Sequence, residues 1–467
     1  MANTYYTPGV YIEEISKFPP SITAVETAIP AFIGFTEQAI VDGKSVVGTP
    51  VRISSLLEYE NIFGGPQKEV NLIVTITESE TSGKRYTVSY NDADGKGLSK
   101  HIMYYSLQQF YANGGGPCYI ISVGPYLDLG TPITDSDAFM DALTELRKQD
   151  EPTLIVFPEG QNLPKDTYKT LLEAALTQCF DLKDRFVIMD MFDSGLTLKT
   201  ESAILAAAND FRNAISLSAP YTSYGAVYFP NIRSTFDYAY DESTVTIVGG
   251  DAPNFGGLNN LDKANVKLAI SNFSIILPPS AAVAGVYARV DNARGVWKAP
   301  ANEGLLAVSG VTCDISDQIQ RNLNVDVNAG KSVNAIRFFA GRGIKIWGAR
   351  TLDGNSNEWR YVSVRRYFNM VEESTKKASE GFVFEPNDAN TWVKVKAMIE
   401  NFLINQWRSG ALAGAKPEHA FYVKIGINET MTAFDILEGR MIVEIGLAVV
   451  RPAEFIILRF SHKMQES

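Results

Sequence analysis

Residues 154–189 read LIVFPEGQNLPKDTYKTLLEAALTQCFDLKDRFVIM. The apolar run at 154–157 is short and bounded by Pro158 and Gly160, as a buried strand is. Leu171, Leu172, Ala175 and Leu176 then recur at helical spacing, and a second apolar run follows at 186–189. Strand, helix, strand is the reading of a βαβ crossover.

The same grammar extends on both sides. Strands are expected at 118–123 and 226–229, with a helix between carrying Phe139, Leu143 and Leu146. A mostly parallel α/β layer follows, and Ala31 to Gly34 reads as an earlier core strand. Within this α/β domain, expected over 21–275, residues 67–100 read as an inserted hairpin. Leu72, Val74 and Ile76 alternate on one arm, Tyr86, Val88 and Tyr90 on the other, with turn residues 91–97 closing it. The Gly-, Asn- and Asp-rich stretch 231–275 reads as a connector.

A second, α+β domain is expected over 276–438, making the whole chain a mixed α/β (α+β) protein. Its β segments are placed at 344–347 and 359–362 and its helices at 363–379 and 390–408. The first helix carries Glu372 with Lys376 and Glu373 with Lys377 at the favourable i, i+4 spacing. The second buries the stripe Trp392, Val395, Ile399, Phe402 and Leu403, ending at Gln406. Closing strands are expected at 441–450 and 454–460, inside a C-terminal segment 439–467. An apolar strand such as Phe455, Ile456, Ile457, Leu458 and Phe460 needs a partner, its own sheet or another chain, because a free edge of that kind aggregates. The first twenty residues mix β-formers with Pro8, Pro19 and Pro20 and read as an extended arm.

Composition narrows the function classes. The chain has 467 residues, 45% hydrophobic and 20% charged, so two to four globular domains are expected. A net charge of −11 argues against a nucleic-acid or anionic-membrane surface as the main partner. No export signal or spanning run is legible, so synthesis in the cytoplasm is expected and the sequons at Asn272 and Asn428 carry no weight. Cys118, Cys179 and Cys313 are odd in number and set among apolar residues, as buried thiols are.

Catalytic and cofactor motifs fail one by one. His101, His419 and His462 have no metal-ligand spacing. Gly330-Lys331-Ser332 and Gly43-Lys44-Ser45 end like phosphate loops, but Val325 and Gln38 stand where the earlier glycine belongs. Gly341-Arg342-Gly343 lacks its third glycine, Ile346 standing there. Asp92, Asp94 and Gly97 lack the calcium-loop carboxylate, with Lys96 and Met103 at ligand positions. The competing reading, an enzyme or ligand-binding protein using the 118–229 layer, would place its site outside the carboxyl ends of those strands.

The ordered motifs point elsewhere. Pro8-Gly9-Val10-Tyr11-Ile12-Glu13-Glu14, Thr27-Ala28-Ile29-Pro30-Ala31-Phe32-Ile33-Gly34, Pro278-Pro279-Ser280, Arg289, Asp291 and Gly295-Val296-Trp297-Lys298-Ala299-Pro300-Ala301-Asn302 follow one another. Then come Asn334-Ala335-Ile336-Arg337, Trp347-Gly348-Ala349-Arg350-Thr351, Arg365-Arg366, Phe384-Glu385-Pro386-Asn387 and Pro452-Ala453-Glu454-Phe455-Ile456. In these the chain resembles the contractile tail sheath proteins of phage tails, R-type bacteriocins and extracellular contractile injection systems; residues 36–275 match more loosely.

The resemblance implies a structural subunit, with no cofactor, stacked in sixfold rings around an inner tube, with baseplate and terminal cap proteins as further partners. It implies assembly in the bacterial cytoplasm into a phage-tail-like particle that contracts without nucleotide. It also implies that Pro8, Gly9, Val10, Tyr11 and Ile12 at one end, and Phe455, Ile456, Ile457, Leu458 and Phe460 at the other, are strands lent to neighbours. Contacts to the tube are expected from Arg365, Arg366, Lys376, Lys377, Arg408 and Lys416.

Overall fold

The computed structural model describes residues 21–79, 83–91, 97–134, 136–457 and 459. The arm residues Pro8, Gly9, Val10, Tyr11 and Ile12, with Leu458 and Phe460, lie outside the described residues. The described residues divide into two compact units: Val25–Glu372 with those after Val450, and Glu373–Val450 with Ser21–Ala24.

In the larger unit a nine-stranded sheet runs in the order Glu303–Gly304, Gly343–Ile346, Val333–Phe339, Gly225–Phe229, Phe186–Asp190, Leu154–Val156, Pro30–Thr36, Cys118–Pro125, Val51–Ile53. The central pairings are parallel and the outermost are antiparallel. Strands buried on both faces read as continuous apolar runs. Accordingly Ile155, Val187 and Met189 join a core with Leu171, Leu172, Ala175 and Leu176 on one face. Leu154, Val156, Phe186 and Ile188 join Phe110, Val283 and Tyr287 on the other. Helix Ser280–Arg294 approaches helix Met103–Ala112 closely at Gly285, where a Cβ would stand 2.4 Å from the Phe110 carbonyl oxygen.

The sheet does not stop at residue 275. Val333–Phe339 pairs directly with Gly225–Phe229, so strands on either side of that position share one sheet. The stretch 231–275 is likewise more than a connector. Its strand Thr246–Val248 pairs in parallel with Leu72–Ser79, and its helix Asn260–Ser271 covers Leu72, Val74 and Ile76 with Val266 and Ile270. The hairpin itself is as expected, Leu72–Ser79 against Gly83–Tyr90, but its reversal falls between Ser79 and Gly83. Asn91 bonds back to Asn71 at the opposite end of the pair, and residues 92–96 of the expected turn 91–97 lie outside the described residues.

Around the unit boundary, helix Val362–Ser379 begins one residue before its expected start, and residues 359–362 form no strand. Tyr361 makes a single bridge to Arg350, and the Arg365 N–H already donates to the Tyr361 carbonyl, so the chain turns helical at once. In the smaller unit helix Ala389–Arg408 opens on Asp388, whose side chain accepts from the Thr391 N–H. It buries Val395, Met398, Ile399, Phe402 and Leu403 and packs on strand Phe421–Lys424. Of the strand expected at 441–450, Glu444–Leu447 is regular. Residues 454–457 form no strand.

Candidate functional site

The smaller unit contains a sheet of only two strands, Phe421–Lys424 antiparallel to Glu444–Leu447. Tyr422 lies opposite Gly446, and a Cβ on Gly446 would sit 2.2 Å from its ring, so the aromatic covers the backbone that glycine leaves bare. The Tyr422 hydroxyl donates to Glu444 at 2.7 Å and fixes that placement. Ala448 N–H donates to the Ala420 carbonyl at 2.8 Å and Val450 N–H to the Ala411 carbonyl at 3.1 Å. The alternation of an antiparallel ladder then turns the backbone of Ile445, Leu447 and Val449 to the opposite edge. Among the described residues no strand pairs with that edge. Two strands alone are marginal in water, and such an edge is a template for a third.

Two residues near the described limits of the larger unit, Thr27 and Glu454, are each held by an arginine. Near the N-terminal side, the Thr27 hydroxyl donates to Asp291 at 2.6 Å, and the Thr27 carbonyl accepts from Arg366 at 2.8 Å. Arg366 also donates to both Asp291 oxygens, at 2.5 and 3.2 Å, and its guanidinium lies 4.5 Å from the Tyr287 ring centroid. On the C-terminal side Glu454 accepts from Arg350 at 3.0 and 2.7 Å, from Asn324 at 2.7 Å and from the Tyr361 hydroxyl at 3.1 Å. Burial alone would raise the Glu454 carboxyl; the bonds from Arg350 and Asn324 outweigh it and hold the group below the usual range. Immediately beyond, Phe455, Ile456 and Ile457 are 70%, 79% and 75% exposed.

The expected tube-contacting cations divide. Arg365 and Arg366 are buried within the chain: Arg365 donates to Asn369 and Glu372 and lies 4.1 Å from the Trp359 ring centroid. They are interior groups, because each finds a counter-ion and an aromatic face within the chain, and they offer no surface to a partner. Lys376 and Lys377 are exposed and share Glu373, at 3.1 and 3.4 Å, while Arg408 and Lys416 are exposed at the end of the long helix and beyond it.

Outside the carboxyl ends of the parallel strands lies a cavity of about 830 Å³ lined by Glu69, His101, Gln161 and Asn231 among others. Its polar groups serve one another. Gln161 and Asn231 exchange hydrogen bonds at 3.0 and 2.8 Å, Glu69 accepts from the Ser99 N–H, and His101 Nε2 accepts from Leu127 N–H at 2.9 Å. Lys331, from one failed phosphate-loop motif, donates to the Arg212 carbonyl at 2.9 Å and to that of Ile215. Among the described residues no cluster of His, Cys, Asp and Glu could hold a metal ion, and no helix is long and apolar enough to cross a membrane.

Comparison with known proteins places this geometry. A family model described as the phage tail sheath C-terminal domain matches residues 355–463. A chain in the sixfold-symmetrised baseplate of the anti-feeding prophage is 31% identical, with 99% of this chain and 100% of that one covered at a TM-score of 0.64. A chain of the contracted PVC sheath complex, an extracellular contractile injection system, is 30% identical over 99% of each chain, at a TM-score of 0.66. The tail sheath protein of Burkholderia phage BcepMu is 29% identical over 150 residues, 31% of this chain and 31% of that protein's own length. The likeness to contractile-system chains of 30–31% identity runs the full length of both partners, and the chain belongs to the contractile tail sheath family.

Proposed function

We propose that this chain is the repeating subunit of a contractile sheath, stacked in sixfold rings around an inner tube and driving that tube through a target envelope when it contracts. The observation that carries the reading is the edge at Ile445, Leu447 and Val449, with which no strand pairs among the described residues. It supports strand addition by a neighbour, with backbone hydrogen bonds for affinity and alternate side chains for register. Phe455, Ile456 and Ile457, exposed and apolar just beyond their tether, have the composition of a donated strand.

Contraction is a conformational change of the lattice without catalysis: subunits move as bodies while the arms keep neighbours connected. Baseplate and terminal cap proteins close the two ends, assembly takes place in the bacterial cytoplasm, and Lys376, Lys377, Arg408 and Lys416 supply the cationic face toward the tube. Reversing these four charges is expected to weaken co-sedimentation with the tube protein and leave sheath-only polymers intact.

The decisive experiment removes residues 1–20. The full chain is expected to form hollow cylinders under the electron microscope, and the truncated chain to remain a folded subunit that does not polymerise. Cylinders of unchanged length and diameter from the truncated chain would disprove strand exchange.

A further inference from the structure

Thr27 and Glu454 are 427 positions apart in the chain and are held by the same device, an arginine paired with a carboxylate in the larger unit. In the first tether arginine and carboxylate both belong to the body, Arg366 on helix Val362–Ser379 and Asp291 on helix Ser280–Arg294, and together they grip the hydroxyl and carbonyl of Thr27. In the second the carboxylate belongs to the outgoing segment and the body supplies Arg350, itself fixed by donating to the carbonyls of Asn324 and Gly354.

Glu454 sits in a stretch without regular secondary structure, and Phe455, Ile456 and Ile457 beyond it are exposed. A planar guanidinium fork meeting a carboxylate in two parallel hydrogen bonds defines a direction as well as a distance, which a lysine or an apolar contact would not.

We propose that Arg366–Asp291–Thr27 and Arg350–Glu454 are positioning clamps, each fixing the point and direction at which one arm leaves the body and hence which neighbouring edge, in which register, that arm can reach. The clamps rest on the strand-lending reading above. A lent strand binds intramolecularly within the lattice, and its effective concentration at the acceptor edge depends on where its root is held and how much chain is free. A released root spreads the arm over more positions and registers, so assembly suffers while the fold does not.

The test uses the full chain with Cys313→Ser, Leu261→Cys and Ile457→Cys carrying nitroxide labels, so that the distance distribution between 261 and 457 reports the root. Glu454→Gln keeps shape and removes charge at a half-buried position; Thr27→Val removes one hydroxyl. Both variants are assayed below their own melting temperatures, because Glu454→Gln leaves the buried Arg350 guanidinium without its counter-ion. Glu454→Gln is expected to broaden the distribution, and each variant to raise the critical concentration for cylinder formation by roughly threefold or more. An unchanged distribution, or a broadened one with unchanged assembly, overturns the clamp. Truncation at residue 455 separates the two ideas: if that chain polymerises normally, the strand-lending reading has failed; if it does not while Glu454→Gln does, only the clamp has.

Discussion

The Ser280 hydroxyl donates to Asp190 at 2.5 Å and the Ser280 N–H to the same carboxylate at 2.9 Å, so the last residue of strand Phe186–Asp190 caps the first turn of helix Ser280–Arg294. A helix N-terminus presents unsatisfied N–H groups, and a carboxylate placed there satisfies them. Asp190→Ala leaves buried donors without acceptors and is expected to cost about 2–3 kcal/mol. Urea denaturation of the unassembled subunit measures this; a loss below half a kcal/mol, on the order of a surface substitution, would show the cap to be immaterial.

Stability should fall as pH rises through the weakly acidic range. Burial pushes Glu69 up from 4.5 to about 7, against the lowering effect of the Ser99 N–H. The carboxyl is neutral in both states below its unfolded value, so there is no penalty there. Between that value and about 7 the unfolded chain ionises while the folded chain resists, and about 3 kcal/mol of stability is lost. Asp190 is pushed the same way, to about 7, by burial that outweighs its Ser280 bonds. Glu69→Gln should therefore flatten part of the slope between pH 4.5 and 8, and an unchanged slope would acquit Glu69.

Leu447→Pro probes the open edge directly. The Leu447 N–H points away from strand Phe421–Lys424, so proline removes a donor from the outer edge without breaking the ladder already present. The variant subunit is expected to keep its circular dichroism spectrum and to lose polymerisation. Pro at Gly446, whose backbone faces the existing ladder, should unfold the two-stranded sheet and serves as the contrasting control.

The thiols should be silent in the native chain. Burial pushes Cys118 up to about 12, raises Cys179 as well, and lifts the half-buried Cys313 to about 12. A thiol-specific chromophore at pH 8 is expected to react slowly with Cys313 alone, and with all three after denaturation. Rapid native labelling of two or more would contradict the packing around Cys118 or Cys179.

What could be read without the structure is what local pattern encodes. The crossover at 154–189, the strands beside it and the two long helices were legible because burial on both faces leaves unbroken apolar runs and burial on one face leaves a stripe at helical spacing; their ends fell within a residue or two. The ordered motifs from Pro8 to Ile456 pointed to the family, and Phe455 to Phe460 read as a strand in want of a partner.

Tertiary structure alone decided what lies between distant residues. Thr246 pairs with Ile73, which turned an apparent connector into part of a packed sheet. Tyr361 makes one bridge and then enters a helix, where aromatic and β-branched neighbours suggested a strand. Arg365 and Arg366 read as a charged surface because sequence shows a charge and not its counter-ion; Asp291 and the rings of Tyr287 and Trp359 reach them only once the chain is folded. The composition of the two terminal segments was written in the sequence. The ties at Thr27 and Glu454 were not, because each is a contact between residues far apart along the chain, and periodicity carries no information at that range.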